Sequence, residues 1–165
     1  MIKKFISIFC LFAFISIYTP VFALNVPANT SILISPVNTV TSKDRNVSTV
    51  PCYITEDVKI DGVVVFKAGD RAELHVEDIE KARCWGKGGR MLISNGYAYD
   101  VHGQKHKILF SRNLYGEDKT WPKACGIVSL FFLWPLALCG FVHGDQAHVS
   151  AASEMETFLA SQYDF

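Results

Sequence analysis

Val58-Lys59-Ile60-Asp61-Gly62-Val63-Val64-Val65-Phe66 decides the fold class of this chain. An Asp-Gly pair stands between two runs of β-branched residues. That is the sequence mark of a tight hairpin, because glycine accepts the positive φ the turn needs. Just beyond it, Arg71-Ala72-Glu73-Leu74-His75-Val76-Glu77 alternates with period two. Ala72, Leu74 and Val76 therefore share one face of a strand.

The same grammar recurs on both sides. Ser31 to Ile34 and Val37 to Val40 cluster β-formers around Pro36. Gly86-Lys87-Gly88-Gly89 reads as a flexible hairpin turn. Met91-Leu92-Ile93 and Tyr97-Ala98-Tyr99 follow as strand, Asp100 to Gln104 as turn, and His106 to Phe110 as strand. Short strands at this spacing predict an all-β domain, a small barrel or sandwich of antiparallel strands.

An internal echo supports that reading. Val26 to Ile34, Phe66 to Leu74 and Val149 to Leu159 share one layout. Each has an apolar approach, a small residue, a Gly, Asn or Ser, a polar residue, and then an alternating run. Gly or Asn at the centre accepts a left-handed backbone. The third unit makes the C-terminus a strand, although Glu154 to Ser161 would also pass as a short helix.

The N-terminus reads differently. Met1-Ile2-Lys3-Lys4 is basic, Phe5 to Ile17 is uncharged, and Val21-Phe22-Ala23 ends the run with residues a signal peptidase accepts. Residues 1–23 are thus expected to be a cleavable signal peptide, with an uncleaved anchor as the rival. Cys10 follows no small-residue lipobox. Removing 23 of the 165 residues leaves 142, enough for a single domain over 24–165 with its own core. That remainder carries 14 Lys and Arg against 16 Asp and Glu, a net charge of −2. A near-neutral chain offers no basic face for nucleic acid. The expected place is the periplasm or the outer membrane, with secretion to the medium as the alternative.

An exported chain with Cys52, Cys84, Cys125 and Cys139 favours disulfides. Four cysteines allow three connectivities. Cys52–Cys84 and Cys125–Cys139 are expected, since each pair brackets its own segment; buried thiols are the competing reading. There is no CxxC, so no redox motif or zinc ribbon is indicated.

Gly126 to Val142 is seventeen residues without a charge, interrupted by Pro135. It is short for a straight spanning helix. It divides into Ile127–Trp134 and Leu136–Val142, which suit either a buried pair of core strands or a surface that meets a membrane or partner. Trp121, Phe131, Phe132, Trp134, Pro135 and Phe141 are the candidate contact residues, aromatic rings being favoured at an interface.

Catalytic signals are sparse. Cys84 beside Trp85 and Gly86 is the one thiol in a setting that draws notice. A nucleophilic cysteine needs a partner base. His102 and His106 flank one turn, and His143, Asp145 and His148 lie close in sequence, as a metal site would need. Glu77, Asp78 and Glu80 make an acidic edge, read as a soluble face. Trp85 to Arg90 is Gly-rich and basic, but a phosphate cradle would open a helix and a strand follows here. No cofactor, metal or small-molecule substrate is indicated.

Lys67-Ala68-Gly69-Asp70 before a strand, Gly86–Gly89 before Met91-Leu92-Ile93, and Asp100-Val101-His102-Gly103 before Ile108-Leu109 come in a familiar order. In these turns the stretch from Phe66 to Asp118 resembles the periplasmic β-barrel module of TrbI-like scaffold proteins of conjugation and type IV secretion. The resemblance implies a barrel, and a place in a larger envelope complex with Gly126–Val142 as an apolar antenna. It rests on turns rather than signature residues and implies fold more than function. The sequence therefore predicts an exported, non-catalytic envelope protein, structural or assembly-related. The alternatives are a small secreted hydrolase using Cys84 or a histidine cluster, and an extracellular binding module or effector.

Overall fold

The computed structural model of the chain describes residues 24–122, 141–151 and 153–165. The expected signal segment lies outside the described residues, as do Cys125, Phe131, Phe132, Trp134, Pro135 and Cys139.

The strands are β1 (Asn25–Val26), β2 (Ser31–Pro36), β3 (Val40–Thr41), β4 (Thr49–Ile54), β5 (Val58–Ile60) and β6 (Val63–Phe66). They continue with β7 (Arg71–Glu80), β8 (Arg90–Tyr99), β9 (Lys105–Tyr115), β10 (His148–Val149), β11 (Met155–Leu159) and β12 (Tyr163–Asp164). The fold is all-β, as expected. Six strands, β2, β4, β7, β8, β9 and β11, follow one another around a closed antiparallel barrel. β11 completes it by pairing with β9 through Phe158↔Leu109 and with β2 from Met155↔Ile34 to Phe158↔Ser31. Closure leaves the six barrel strands themselves without an open edge.

Alternation selects what fills the barrel. Val50, Cys52 and Ile54 of β4 are buried while Thr49, Pro51 and Tyr53 face out. Ala72, Leu74 and Val76 of β7 face in, the face read from the sequence. Ile32, Ile34, Met91, Ile93, Ile108 and Leu159 complete the core and are fully enclosed. The C-terminal segment is a strand: Met155, Thr157 and Leu159 are buried, and the Thr157 hydroxyl donates to the Ile32 carbonyl at 2.9 Å. Register shifts at Leu74/His75, Val76/Asp78 and Ser94/Gly96 bend the long β7, β8 and β9 strands around the core.

The two ends of the barrel differ. One end holds the β1–β12 pair, the β5–β6 hairpin and the turn between β8 and β9. Asp61 and Gly62 both have positive φ, at 49° and 83°, so the Asp-Gly hairpin forms as read. It stands outside the barrel sheet and caps it, burying Val65 and Phe66. Two of the three echoed turns share a left-handed centre, Asn29 at φ 63° and Gly69 at φ 92°. The other end holds the β3–β10 pair, the loop between β7 and β8, and the described chain on either side of 123–140.

One expectation is overturned here. Cys52 and Cys84 are free thiols, not a disulfide. Cys52 alternates inward between Val50 and Ile54, whereas Cys84 is exposed on the β7–β8 loop. A side chain inside the barrel and one outside its rim do not meet. Burial pushes the Cys52 thiol up to about 12, which keeps it protonated and inert at neutral pH.

Candidate functional site

The loop between β7 and β8 is not the flexible turn its glycines suggested. Three segments, 83–89, 116–119 and 142–145, are laced together by backbone hydrogen bonds. Gly86 N–H donates to the Val142 carbonyl at 2.9 Å and its own carbonyl accepts from Lys119 N–H at 2.8 Å. Gly89 N–H reaches the Asp145 carbonyl at 2.8 Å, and Gly116 N–H reaches the Gly89 carbonyl at 2.8 Å. Asp145 N–H donates to the Glu117 carbonyl at 3.0 Å, and Gly88 N–H to the Asp118 carboxylate at 2.6 Å. The glycines are there because backbones touch. A Cβ on Gly86 would lie 2.0 Å from the Lys119 carbonyl oxygen, and one on Gly116 would lie 1.9 Å from that of Asp145. Neither distance is open to a side chain.

This platform grips the chain on both sides of 123–140, through Lys119 on one side and Val142 on the other. Three large aromatic side chains project from it into solvent: Trp85 at 47% exposure, Trp121 at 54% and Phe141 at 70%. Trp85 sits at φ 61°, a left-handed conformation that a bulky residue rarely adopts. Trp121 and Phe141 were among the expected contact residues; Trp85 was noticed only as the neighbour of Cys84. Its role depends on the loop's folding back onto 119 and 142, which no local pattern announces.

The platform also brings together two residues 59 positions apart. The Cys84 sulfur lies 3.7 Å from His143 Nε2. A thiol beside an imidazole is the arrangement a nucleophilic cysteine uses. The other members of the sequence cluster go elsewhere. Asp145 takes Lys119 Nζ at 2.8 Å, and His148 is exposed on β10 opposite Thr41. Among the described residues no three His, Cys, Asp or Glu side chains are grouped to hold a metal ion.

The remaining candidates have structural roles. His102 and His106 do not pair. His106 Nε2 lies 3.0 Å from the buried Asp100 carboxylate and its ring stacks on Tyr163 at 3.6 Å, while His102 lies against Phe165. Asp100 also accepts from the backbone N–H of His102 and Gln104, at 2.9 and 2.8 Å, and so closes the β8–β9 turn. Burial, and then the Asp100 charge, raise the Tyr163 phenol above its ordinary value. Glu77, Asp78 and Glu80 line a depression of about 520 Å³ with Arg45, Lys81 and Arg83. Opposite charges offset the acidic edge there.

The chain matches no family model and no curated protein sequence.

Proposed function

We propose that this is an exported, non-catalytic envelope protein that works as an assembly component, with its barrel as a rigid body and its platform as the part that attaches to a membrane. The observation that carries the reading is the position of Trp85, Trp121 and Phe141. They stand exposed on a hydrogen-bonded base that flanks an uncharged run of seventeen residues, Gly126–Val142. Amphipathic aromatic rings such as the two tryptophans are favoured at a membrane–water interface. Among the described residues no helix is long and apolar enough to cross a membrane. The likeness of the turns to TrbI-like modules agrees with a barrel that serves a larger assembly.

The test is partition of purified protein with phospholipid vesicles. Wild-type protein is expected to sediment with vesicles and to show a blue shift in tryptophan emission. The variant Trp85→Gly/Trp121→Ser/Phe141→Ser should lose at least about half of the bound fraction, because each ring contributes of order 1 kcal/mol or more of apolar burial. A wild-type protein that stays in the supernatant at all lipid concentrations overturns the reading. So does one that is retained in envelope fractions only by a protein partner.

The Cys84–His143 contact favours a second reading, a small hydrolase with Cys84 as nucleophile and His143 as base. Alkylation of Cys84 by iodoacetamide, followed by peptide mapping across pH, distinguishes the two. An activated thiol reacts below the ordinary thiol range, and His143→Ala slows it by about tenfold or more. An ordinary thiol titration curve, unchanged by His143→Ala, removes the enzyme reading.

A further inference from the structure

We propose that the outer wall of the barrel carries a separate groove that takes a lipid with an anionic head group. Two depressions, of about 410 and 400 Å³, meet at the exposed side chain of Asn95. The first runs across β4, β7, β8 and β9 and brings Glu73, His75, Tyr97, Lys105 and Lys107 to one wall. The bulges at Leu74/His75 and Ser94/Gly96 lie along it. Gly96 lets the β7 and β8 backbones approach closely here, since a Cβ would lie 2.1 Å from the Glu73 carbonyl oxygen.

Two lysines against one carboxylate leave the lining of this half positive. Lys105 Nζ is held 3.9 Å from the Tyr97 ring centroid by a cation–π contact. Glu73, the carboxylate on this wall, is already bonded by Arg71. Among the described residues neither Lys105 nor Lys107 has a carboxylate within ion-pair distance. Two ammonium groups beside an imidazole and a hydroxyl form a site for a phosphate-bearing head group.

The second half is apolar. The outward residues of β9 read Lys105, Lys107, Leu109, Ser111. Leu109 pairs across the closing seam with Phe158, and both are exposed large hydrophobics at the same depression. Glu156 at its rim is engaged by the Ser31 hydroxyl at 2.7 Å. A free phosphate would leave Leu109 and Phe158 bare, and a neutral acyl chain would leave two lysines unmatched. An anionic amphiphile satisfies both halves at once. The groove lies on the wall and shares no residue with the platform, so this proposal does not rest on the membrane reading.

The experiment is titration of the folded protein, followed by NMR or calorimetry, with three soluble probes. These are dihexanoylphosphatidylglycerol below its micelle concentration, dihexanoylphosphatidylcholine, and glycerol 3-phosphate. Saturable one-site binding of the first is expected, with the other two at least about tenfold weaker. Lys105→Gln/Lys107→Gln and Leu109→Ser/Phe158→Ser should each weaken it by about tenfold or more. All four positions face solvent, and unchanged melting temperatures confirm that the variants fold. Trp121→Ser should bind as wild type, which separates failure of the groove from failure of the platform. Equal binding of the two lipids, glycerol 3-phosphate binding as tightly as the lipid, wild-type affinity in either double variant, or no saturable binding overturns the proposal.

Discussion

Trp85 concentrates the tension between stability and function in a single residue. Its φ of 61° places a bulky side chain where an L-residue is penalised by roughly 1–2 kcal/mol. Strain of this kind persists where the surroundings over-determine the backbone, and it collects at functional sites. Here the neighbouring Gly86 is pinned from both sides, by Val142 and by Lys119. Trp85→Gly is therefore expected to raise the unfolding free energy by about 1 kcal/mol in urea titration, while it lowers recovery on vesicles. A destabilised Trp85→Gly variant would show that the tryptophan is there for packing. Asp100 is the contrasting case. The sequence marked its position as a turn, but not that its carboxylate would be buried against His106 beneath Tyr163. That role comes from residues 6 and 63 positions away. Cys52 and Cys84 teach the same lesson. Compartment and an even count argued for a bond, and strand alternation sent Cys52 inward instead.

At the scale of elements, what was local was legible. The Asp61–Gly62 hairpin, the inward face of β7, the strand character of β11 and the left-handed turns at Asn29 and Gly69 were all readable from neighbouring residues. The glycine loop was misread because flexibility was inferred from residue type alone. Its glycines allow backbone to lie on backbone, and hydrogen bonds tie the three segments together. Gly116→Ala is expected to cost about 1–3 kcal/mol, since its Cβ would strike the Asp145 carbonyl. Hydrogen exchange should locate the damage, with faster exchange at the amides of Gly86, Gly89 and Asp145 and little change at those of β2 and β4. Uniform loss of protection across the barrel, or none at the platform, would mean that the three segments do not act as one unit.

On the scale of the whole molecule the barrel has two ends of different character. The hairpin, the β1–β12 pair and the Asp100 cluster seal one end with buried and hydrogen-bonded groups. The other end gathers exposed aromatic side chains and the Cys84–His143 pair around the chain on either side of 123–140. Vesicle partition of the platform variants reads this polarity directly. Lipid titration reads the wall between the ends. By itself the sequence determined the all-β class, most of the longer strands and the tight turns, because alternation and turn chemistry act over a few residues; β4, broken by Pro51, was not read. Tertiary structure alone decided the closure of β11 on β2, the separation of Cys52 from Cys84, the approach of Cys84 to His143, and the setting of Trp85 beside the flanks of the apolar segment. Each of these brings together residues far apart in the chain. Their meeting is set by how six strands close around one core, and no short window of residues contains that information.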